Sequence, residues 1–452
     1  LQNSVLAIDI GSTKICAIIA EKKENDELEI IGTGITKSQG LKKGTITNID
    51  LASKSIKAAL NDAKRVAGKN IQKAVVSISG AYTKSINSNG IVNIPNKEIT
   101  IKEINRVMQT ALYNANIPHE YEVLHVLPYN FKVDDQEFVE DPLGMNAGRL
   151  EVDVHIITTQ KSNLYNLKKA VKNAGVEVGN VVLSGYASSI AVLNNDEKEL
   201  GVAVIDMGGS TSNLVIHIGN SIIYNDFLGV GSNHITNDLS MALHTPLSVA
   251  EKIKIEQGSL KSSESGTIEI PVIGDENTTH EVSLEIVYNV IFARVEETLM
   301  ILAKSIEKSG LKEQIGAGVV LTGGMTNMDG MRELAVAIFD NIPVRIARPR
   351  ELEGMFDELK NPAFSTAIGL VLYGAGKFTP YEIDSNKKLR HKSENISKEE
   401  ITSTNISKDE SQKTDDTSEI TEQLTNLENI KNESESVKEK ASKFWRWITQ
   451  LF

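Results

Sequence analysis

The sequence predicts an α/β protein of two related halves, with a small α+β insertion in the first half and a polar segment leading to an amphipathic C-terminal tip. Three observations carry this prediction. A strand–Asp–glycine turn–strand unit occurs twice, about two hundred residues apart. Two helical stretches of small residues, 185–193 and 363–372, resemble each other. After Tyr381 the composition changes abruptly.

In the first unit a buried run, residues 5–8, ends at Asp9. Gly11-Ser12-Thr13 makes the turn, and residues 15–20 return. In the second, residues 202–205 end at Asp206, Gly208-Gly209-Ser210-Thr211 turns the chain, and residues 214–218 return. Each unit reads as a tight β-hairpin. The glycines let successive backbone N–H groups face one point and the hydroxyls add donors, which makes a nest for phosphate oxygens. The acid at the mouth of each turn cannot bind phosphate itself, but it can hold a divalent cation through water. A lone copy is most simply an ordinary hairpin with a left-handed glycine. Two copies between buried strands point to two half-molecules closing on one nucleotide.

The chain has 452 residues, 40% hydrophobic and 24% charged, enough for two or more cores. A formal net charge of −12 argues against a general nucleic-acid binder, which needs a basic surface. Cys16 is the single cysteine, so no disulfide framework is available, which suits a reducing cytosol; it reads as a small core residue. No basic leader followed by an apolar run is visible, and no stretch approaches about eighteen apolar residues. The sequence therefore predicts neither a secretory signal nor a spanning helix.

Residues 28–33 form a third strand. Asp50 caps a helix with Leu51, Ile56, Leu60, Ala63 and Ala67 at near-helical spacing, closed by Gly68. Residues 74–79 are a buried strand. From 83 to 159 the pattern changes: a short strand at 90–94, an amphipathic helix at 101–115, an extended stretch at 121–133, a turn at Asp141-Pro142-Leu143-Gly144 and an alternating strand at 150–158. This set has the size of a small inserted domain, and His155 in it reads as a surface-facing strand residue.

A helix at 163–174, a strand at 181–183 and the small-residue helix 185–193 follow. Small residues permit close backbone approach, so the last can pass between the halves. Beyond the second hairpin come helices at 232–243, 248–258 and 284–304, the last carrying Arg294. Glu251 and Lys254 lie one turn apart, either as a solvated ion pair or as a carboxylate and a cation reaching a ribose and base. A buried strand then runs into Gly323-Gly324, a pair that permits flat stacking of an aromatic ring on backbone.

After Tyr381 no aromatic residue, glycine or proline occurs until Phe444, so this stretch is expected as a disordered charged linker. In the tip, Phe444, Trp445, Trp447, Ile448, Leu451 and Phe452 fall within an arc of about 160° on a helix, with Lys443, Arg446, Thr449 and Gln450 opposite. Tryptophan beside basic residues suits a membrane interface better than docking back on the protein. Burying six such side chains is worth on the order of 10 kcal/mol gross, against a similar ordering cost. Stable attachment should therefore need several tips joined by self-assembly.

The two Asp-x-Gly hairpins, the paired small-residue helices and Leu321-Thr322-Gly323-Gly324-Met325, in this order, resemble the actin, Hsp70 and sugar-kinase nucleotide fold over about residues 5–372. That resemblance implies actin-like (ribonuclease H-like) duplicated domains. Within this fold the chain most closely resembles the FtsA family of bacterial divisome proteins. The insertion stands where that family has its subdomain 1C, the Ala250-Glu251-Lys252-Ile253-Lys254 helix matches, and a polar linker ends in an amphipathic tip. The resemblance implies subdomain 1A over 1–82, 163–197 and 363–380, 1C over 83–162, 2A over 198–232 and 315–362, and 2B over 233–314. It further implies a disordered linker over 381–439 and a membrane-targeting helix over 440–452.

The same resemblance implies ATP with Mg²⁺ between the halves and an actin-like polymer at the division site, peripheral to the cytoplasmic face of the inner membrane. It implies tethering of FtsZ through its C-terminal peptide, recruitment of later divisome proteins, and no nucleic acid. By motif position, Asp9, Gly11, Ser12, Thr13 and Lys14 would serve the first phosphate loop. Asp206, Gly208, Gly209, Ser210 and Thr211 would serve the second. Asp9 and Asp206 would hold Mg²⁺ through water; Gly323, Gly324 and Met325 would face adenosine; Glu251 and Lys254 would reach ribose and base. Arg294 would receive the FtsZ peptide.

Hydrolytic relatives carry a carboxylate or a glutamine just before the first crossing helix. Ser184 stands there, and a serine positions an attacking water poorly, so at most a slow ATPase is expected. The alternative reading is a PilM-like type IV pilus assembly ATP-binding protein, which shares the insertion but not the tip. A sugar kinase would need a catalytic carboxylate in a sugar cleft. An Hsp70-like chaperone would need a β-rich peptide-binding domain, and an MreB-like filament protein would lack both insertion and linker.

Overall fold

The structure, a computed structural model, describes residues 4–25, 27–219, 221–261, 266–340 and 342–391. The part of the expected 381–439 linker beyond residue 391, and the tip residues Phe444, Trp445, Trp447, Ile448, Leu451 and Phe452, lie outside the described residues.

The first half opens with a meander of β1 (Ser4–Ile10), β2 (Lys14–Lys22) and β3 (Leu28–Lys37). A short hairpin follows, β4 (Leu41–Lys42) and β5 (Thr45–Ile46), and then α1 (Ile49–Ala67). Asn48 rather than Asp50 caps α1: its side chain accepts from the Leu51 N–H, while Asp50 sits in the first turn where its charge suits the helix dipole. β6 (Lys73–Ile78) runs parallel to β1.

The insertion contains β7 (Thr83–Asn93), α2 (Ile101–Asn114), β8 (Tyr121–Val133), β9 (Gln136–Val139) and β10 (Arg149–Gln160). Thr100 and Glu103 form a capping box that starts α2. The chain returns through α3 (Lys161–Asn173), β11 (Glu177–Leu183), α4 (Ser184–Val192) and α5 (Asn195–Leu200).

The second half repeats the plan. Its strands are β12 (Val202–Met207), β13 (Ser212–Ile218) and β14 (Ser221–Leu228), followed by α6 (Ser232–Ala242) and α7 (Leu247–Gln257). Next come β15 (Thr267–Val272), β16 (Asp275–Ser283) and α8 (Leu284–Ser309), which runs past 304 to a left-handed Gly310. β17 (Val319–Thr322), α9 (Met331–Ile338) and β18 (Val344–Ile346) complete it. The first sheet has the order β11-β6-β1-β2-β3 and the second β14-β13-β12-β17-β18. In each, a three-stranded antiparallel meander continues through its first strand into two parallel strands. The duplication read from the two hairpins therefore extends to both whole sheets.

α10 (Ser365–Gly374) packs on α4, and a Cβ on Gly369 would fall on the Ala187 carbonyl. The small-residue helices thus meet backbone to backbone, which any larger side chain would prevent. One buried cluster fills the first half and takes in Val204, Val215 and Val320 of the second sheet and Leu124, Leu127 and Ile157 of the insertion; two others lie within the second half and around the insertion sheet. Among the described residues no helix is long and apolar enough to cross a membrane.

Two further expectations need correction. Residues 381–391 do not begin a disordered linker: β19 (Tyr381–Ile383) joins β8 of the insertion sheet and β20 (Leu389–His391) joins β19. Glu382 is fully buried there, accepting from Tyr373 Oη (2.7 Å), Tyr186 Oη (3.3 Å) and His125 Nδ1 (2.7 Å). The Leu183 N–H donates to His125 Nε2 (3.1 Å), which leaves the ring proton on Nδ1 for the carboxylate. Partners from distant elements make burial of this charged strand tolerable. His155, expected at the surface, is 2% exposed. Its ring lies between Asn87 (2.7 Å) and Asn225 on β14 (2.8 Å), so it ties the insertion to the second half. Burial pushes its pKa down to about 4. The ring is therefore neutral, and one amide must turn its NH₂ toward it.

Candidate functional site

The two acidic hairpins face each other across one cleft of ≈ 420 Å³, within the usual range for small-molecule sites. Ile10 pairs with Ile15, which leaves Gly11, Ser12, Thr13 and Lys14 to make the first turn. In the second, the Gly208 N–H donates to the Thr211 carbonyl (2.8 Å). A Cβ on Gly209 would fall on Thr13 Oγ1. The two turns therefore touch across the boundary between halves, and only glycine permits that approach.

Each acid is braced. Ser77 Oγ donates to Asp9 Oδ1 (2.8 Å) and accepts from the Ile10 N–H (2.8 Å). Thr366 Oγ1, on α10, donates to Asp206 Oδ2 (2.8 Å). Burial pushes both carboxyls above the usual range, with Lys14 and Ser77 partly offsetting it at Asp9. Asp206 is pushed up to about 6, chiefly by burial and further by the charge of Asp9. Lys14 Nζ donates to the Ala363 carbonyl (2.7 Å) and lies 4.5 Å from the Phe364 ring centre.

Two mutually repelling buried carboxylates fit a cation held between them. Among the described residues no group of three or more His, Cys, Asp or Glu could hold a metal by itself. The donor set therefore suits an ion that takes most of its ligands from water or from a bound anion.

Glu251, Lys254, Gly323, Gly324 and Met325 line the same cleft. Lys254 is buried and donates to Glu251 Oε2 (2.7 Å), Thr236 Oγ1 (3.0 Å) and the Ser232 carbonyl (3.3 Å). Lys254 is thus built into the cleft wall, while Glu251, its partner there, is 39% exposed at its side chain. Gly323 is required for a different reason from ring stacking: at φ 93° its Cβ would stand 2.5 Å from Asp206 Oδ1 and from the Met207 carbonyl. It lets the end of β17 pass against the second acidic turn.

Ser210 is not among the lining residues; its Oγ accepts from Asn233 Nδ2 (3.0 Å). Arg294 lies away from the cleft on α8. It is held by Asp238 (2.6 and 3.1 Å) and Glu297 (2.5 Å). The sequence reading missed Gly44, Ser77, Ser79, Asn213 and Thr366. Ser77 in β6 and Ser79 just past its end alternate in an otherwise apolar run, residues 74–79, which is a legible signal; the others become neighbours of the site only through folding.

A family model described as "SHS2 domain inserted in FTSA" matches residues 80–158, and one described as "Cell division protein FtsA" matches residues 203–369. The cell division protein FtsA of Helicobacter pylori (strain ATCC 700392 / 26695) is 45% identical over 419 residues, covering 86% of this chain and 85% of that protein. The protein of the same description from Escherichia coli (strain K12) is 31% identical over 395 residues, covering 85% of this chain and 93% of that one. A solved structure described as "PilM-PilN type IV pilus biogenesis complex" superposes with a TM-score of 0.59 at 16% identity, over 82% of this chain and 98% of that one. At that identity the likeness shows a shared fold alone.

Proposed function

The chain belongs to the FtsA family of cell division proteins, and from that premise we propose that it binds ATP with Mg²⁺ in the cleft between its halves and polymerises through actin-like contacts. In this reading it tethers FtsZ to the cytoplasmic face of the inner membrane and recruits later divisome proteins. The observation that carries the nucleotide reading is the meeting of two glycine-cornered acidic turns, one from each half, at Gly209 and Thr13.

The backbone N–H groups and hydroxyls of Gly11-Ser12-Thr13, the Gly209 N–H and Thr211 would hold the phosphates, with Gly208 shaping the turn through its bond to the Thr211 carbonyl. Lys14 would exchange the Ala363 carbonyl for a phosphate oxygen, a stronger acceptor for an ammonium. Asp9 and Asp206 would hold Mg²⁺ through water, and the ion would neutralise phosphate charge. Gly324, Met325, Glu251 and Lys254 would take the adenosine end. Ser184 Oγ donates to the Ile78 carbonyl (3.0 Å), and a neutral hydroxyl is too weak a base to activate a water. Turnover is expected below roughly 1 s⁻¹, with nucleotide acting mainly as an assembly switch.

For the FtsZ peptide, Arg294 would keep Asp238 and exchange Glu297, which is 44% exposed at its side chain, for a peptide carboxylate. Membrane attachment rests on the sequence pattern of 440–452.

Calorimetry of ATP and ADP with Mg²⁺ tests the cleft, and binding of neither would reject it. Sedimentation with anionic vesicles tests the tip: the full chain should pellet, whereas a chain ending at 439 should stay in solution. Equal pelleting of both would remove the tether. Pull-down with an FtsZ C-terminal peptide tests the partner, and Arg294→Glu should weaken capture.

A further inference from the structure

We propose that the Ser79 hydroxyl is the specificity-determining contact for the terminal phosphate of a nucleoside triphosphate. This inference rests on the cleft reading above and deepens it. Ser79 lines the cleft, yet its Oγ is buried without a hydrogen-bond partner. A buried hydroxyl without a partner is uncommon in a well-packed fold and calls for a ligand or a bound water.

Its neighbours are already committed. Ser184 Oγ donates to the Ile78 carbonyl (3.0 Å), and Asn213 Oδ1 accepts the Gly80 N–H (3.0 Å). Asn213 belongs to the second half, so Ser79 stands where the halves close on each other.

Its neighbours decide which part of a nucleotide Ser79 would meet. In the reading above Glu251, Lys254, Gly324 and Met325 take the adenosine end, and the two acidic turns take the phosphates. Gly44, Ser79, Ser184 and Asn213 also line the cleft, and Gly44 and Asn213 put this group beside the second turn. Lys43 and Gly44 form the turn of the β4–β5 hairpin, and both have positive φ, 49° and 77°. A Cβ on Gly44 would stand 2.5 Å from Ser79 Oγ and 3.1 Å from Thr211 Cγ2 of the second turn. The hairpin is thus pressed between Ser79 and the second phosphate loop. In this proposal the terminal phosphate of a triphosphate takes the place beside Ser79, and a diphosphate leaves it to water.

The test is calorimetry of ATP and ADP, each with Mg²⁺, on the full chain and on Ser79→Ala. A hydrogen bond to a charged phosphate oxygen sets the scale: ATP affinity should fall roughly ten- to hundred-fold, with ADP affinity unchanged within about twofold. Because Ser79 Oγ gives up no partner in the protein, the melting temperature without nucleotide should stay level or rise. Equal loss for both nucleotides, or no loss for either, overturns the proposal. Wild-type chain that binds neither nucleotide rejects the cleft reading itself, a separate result. Should Ser79→Ala fail to fold, Gly44→Ala carries the test. Its Cβ intrudes on Ser79 Oγ from a peripheral hairpin, and it should reproduce the ATP-selective loss; equal binding of ATP there overturns the proposal.

Discussion

Replacing Asp206 by Asn should make the nucleotide-free protein more stable while abolishing tight binding of Mg²⁺–ATP. Asp206 is 8% exposed and lies in a cleft wall with Asp9, whose charge raises its pKa. Its carboxyl is pushed from 3.8 to about 6. At about 1.36 kcal/mol per tenfold, keeping it ionised at pH 8 costs the folded state ~3 kcal/mol. The sign follows from linkage. A raised acid pKa means that the folded state binds protons more tightly than the unfolded state. Stability is then fully present below the unfolded value and is lost as pH rises through about 6. Asn keeps an acceptor for Thr366 Oγ1 and carries no charge.

Chemical denaturation without nucleotide should therefore show Asp206→Asn more stable by ~3 kcal/mol at pH 8, by about half that at pH 5, and equal to wild type below about pH 4. Calorimetry at pH 8 should show loss of the Mg²⁺-dependent part of ATP binding. In wild type that part should also weaken as pH falls through 6. A variant less stable at pH 8, or one that binds Mg²⁺–ATP unchanged, would refute the account of two buried carboxylates awaiting a cation.

Gly369→Ala places a Cβ on the Ala187 carbonyl; overpacking at the α4–α10 contact should cost ~3 kcal/mol or more, read as a lower denaturation midpoint. His155 has a pKa lowered to about 4, so the unfolded chain takes up a proton first as pH falls. Its contribution is present above about 6.5 and lost toward 4, and wild type should lose ~3 kcal/mol more than His155→Gln over that window; parallel curves would rule this out. Arg294→Ala leaves the 9%-exposed Asp238 side chain without its cation and should cost about 3 kcal/mol, so peptide capture by any Arg294 variant must be compared at matched folded fraction. An unchanged midpoint would show that the pair is not structural.

Much of the site was legible before folding because its chemistry is local. Asp9 with Gly11-Ser12-Thr13 and Asp206 with Gly208-Gly209 declare themselves because a tight turn restricts which residues can stand beside an acid. Helices 185–193 and 363–372 declare themselves because only small residues let two backbones touch. What stayed hidden depends on partners far away in sequence. In β15 Ile268, Ile270 and Val272 alternate, and in β19 Tyr381 and Ile383, but each run is short and set in polar sequence, so the strand pairing shows only in the fold. His155 looked exposed until Asn225 arrived from the second half.

The sequence alone determined the duplicated hairpins, the acids at their mouths and the small-residue helices, since each is a steric or charge requirement met within a few neighbouring residues. Tertiary structure alone decided that Gly209 meets Thr13, that Glu382 can be buried among His125, Tyr186 and Tyr373, and that Ser79 is left with a free hydroxyl. The physical reason is that burial of a polar group is set by which distant partner satisfies it, and chain order does not encode that distance.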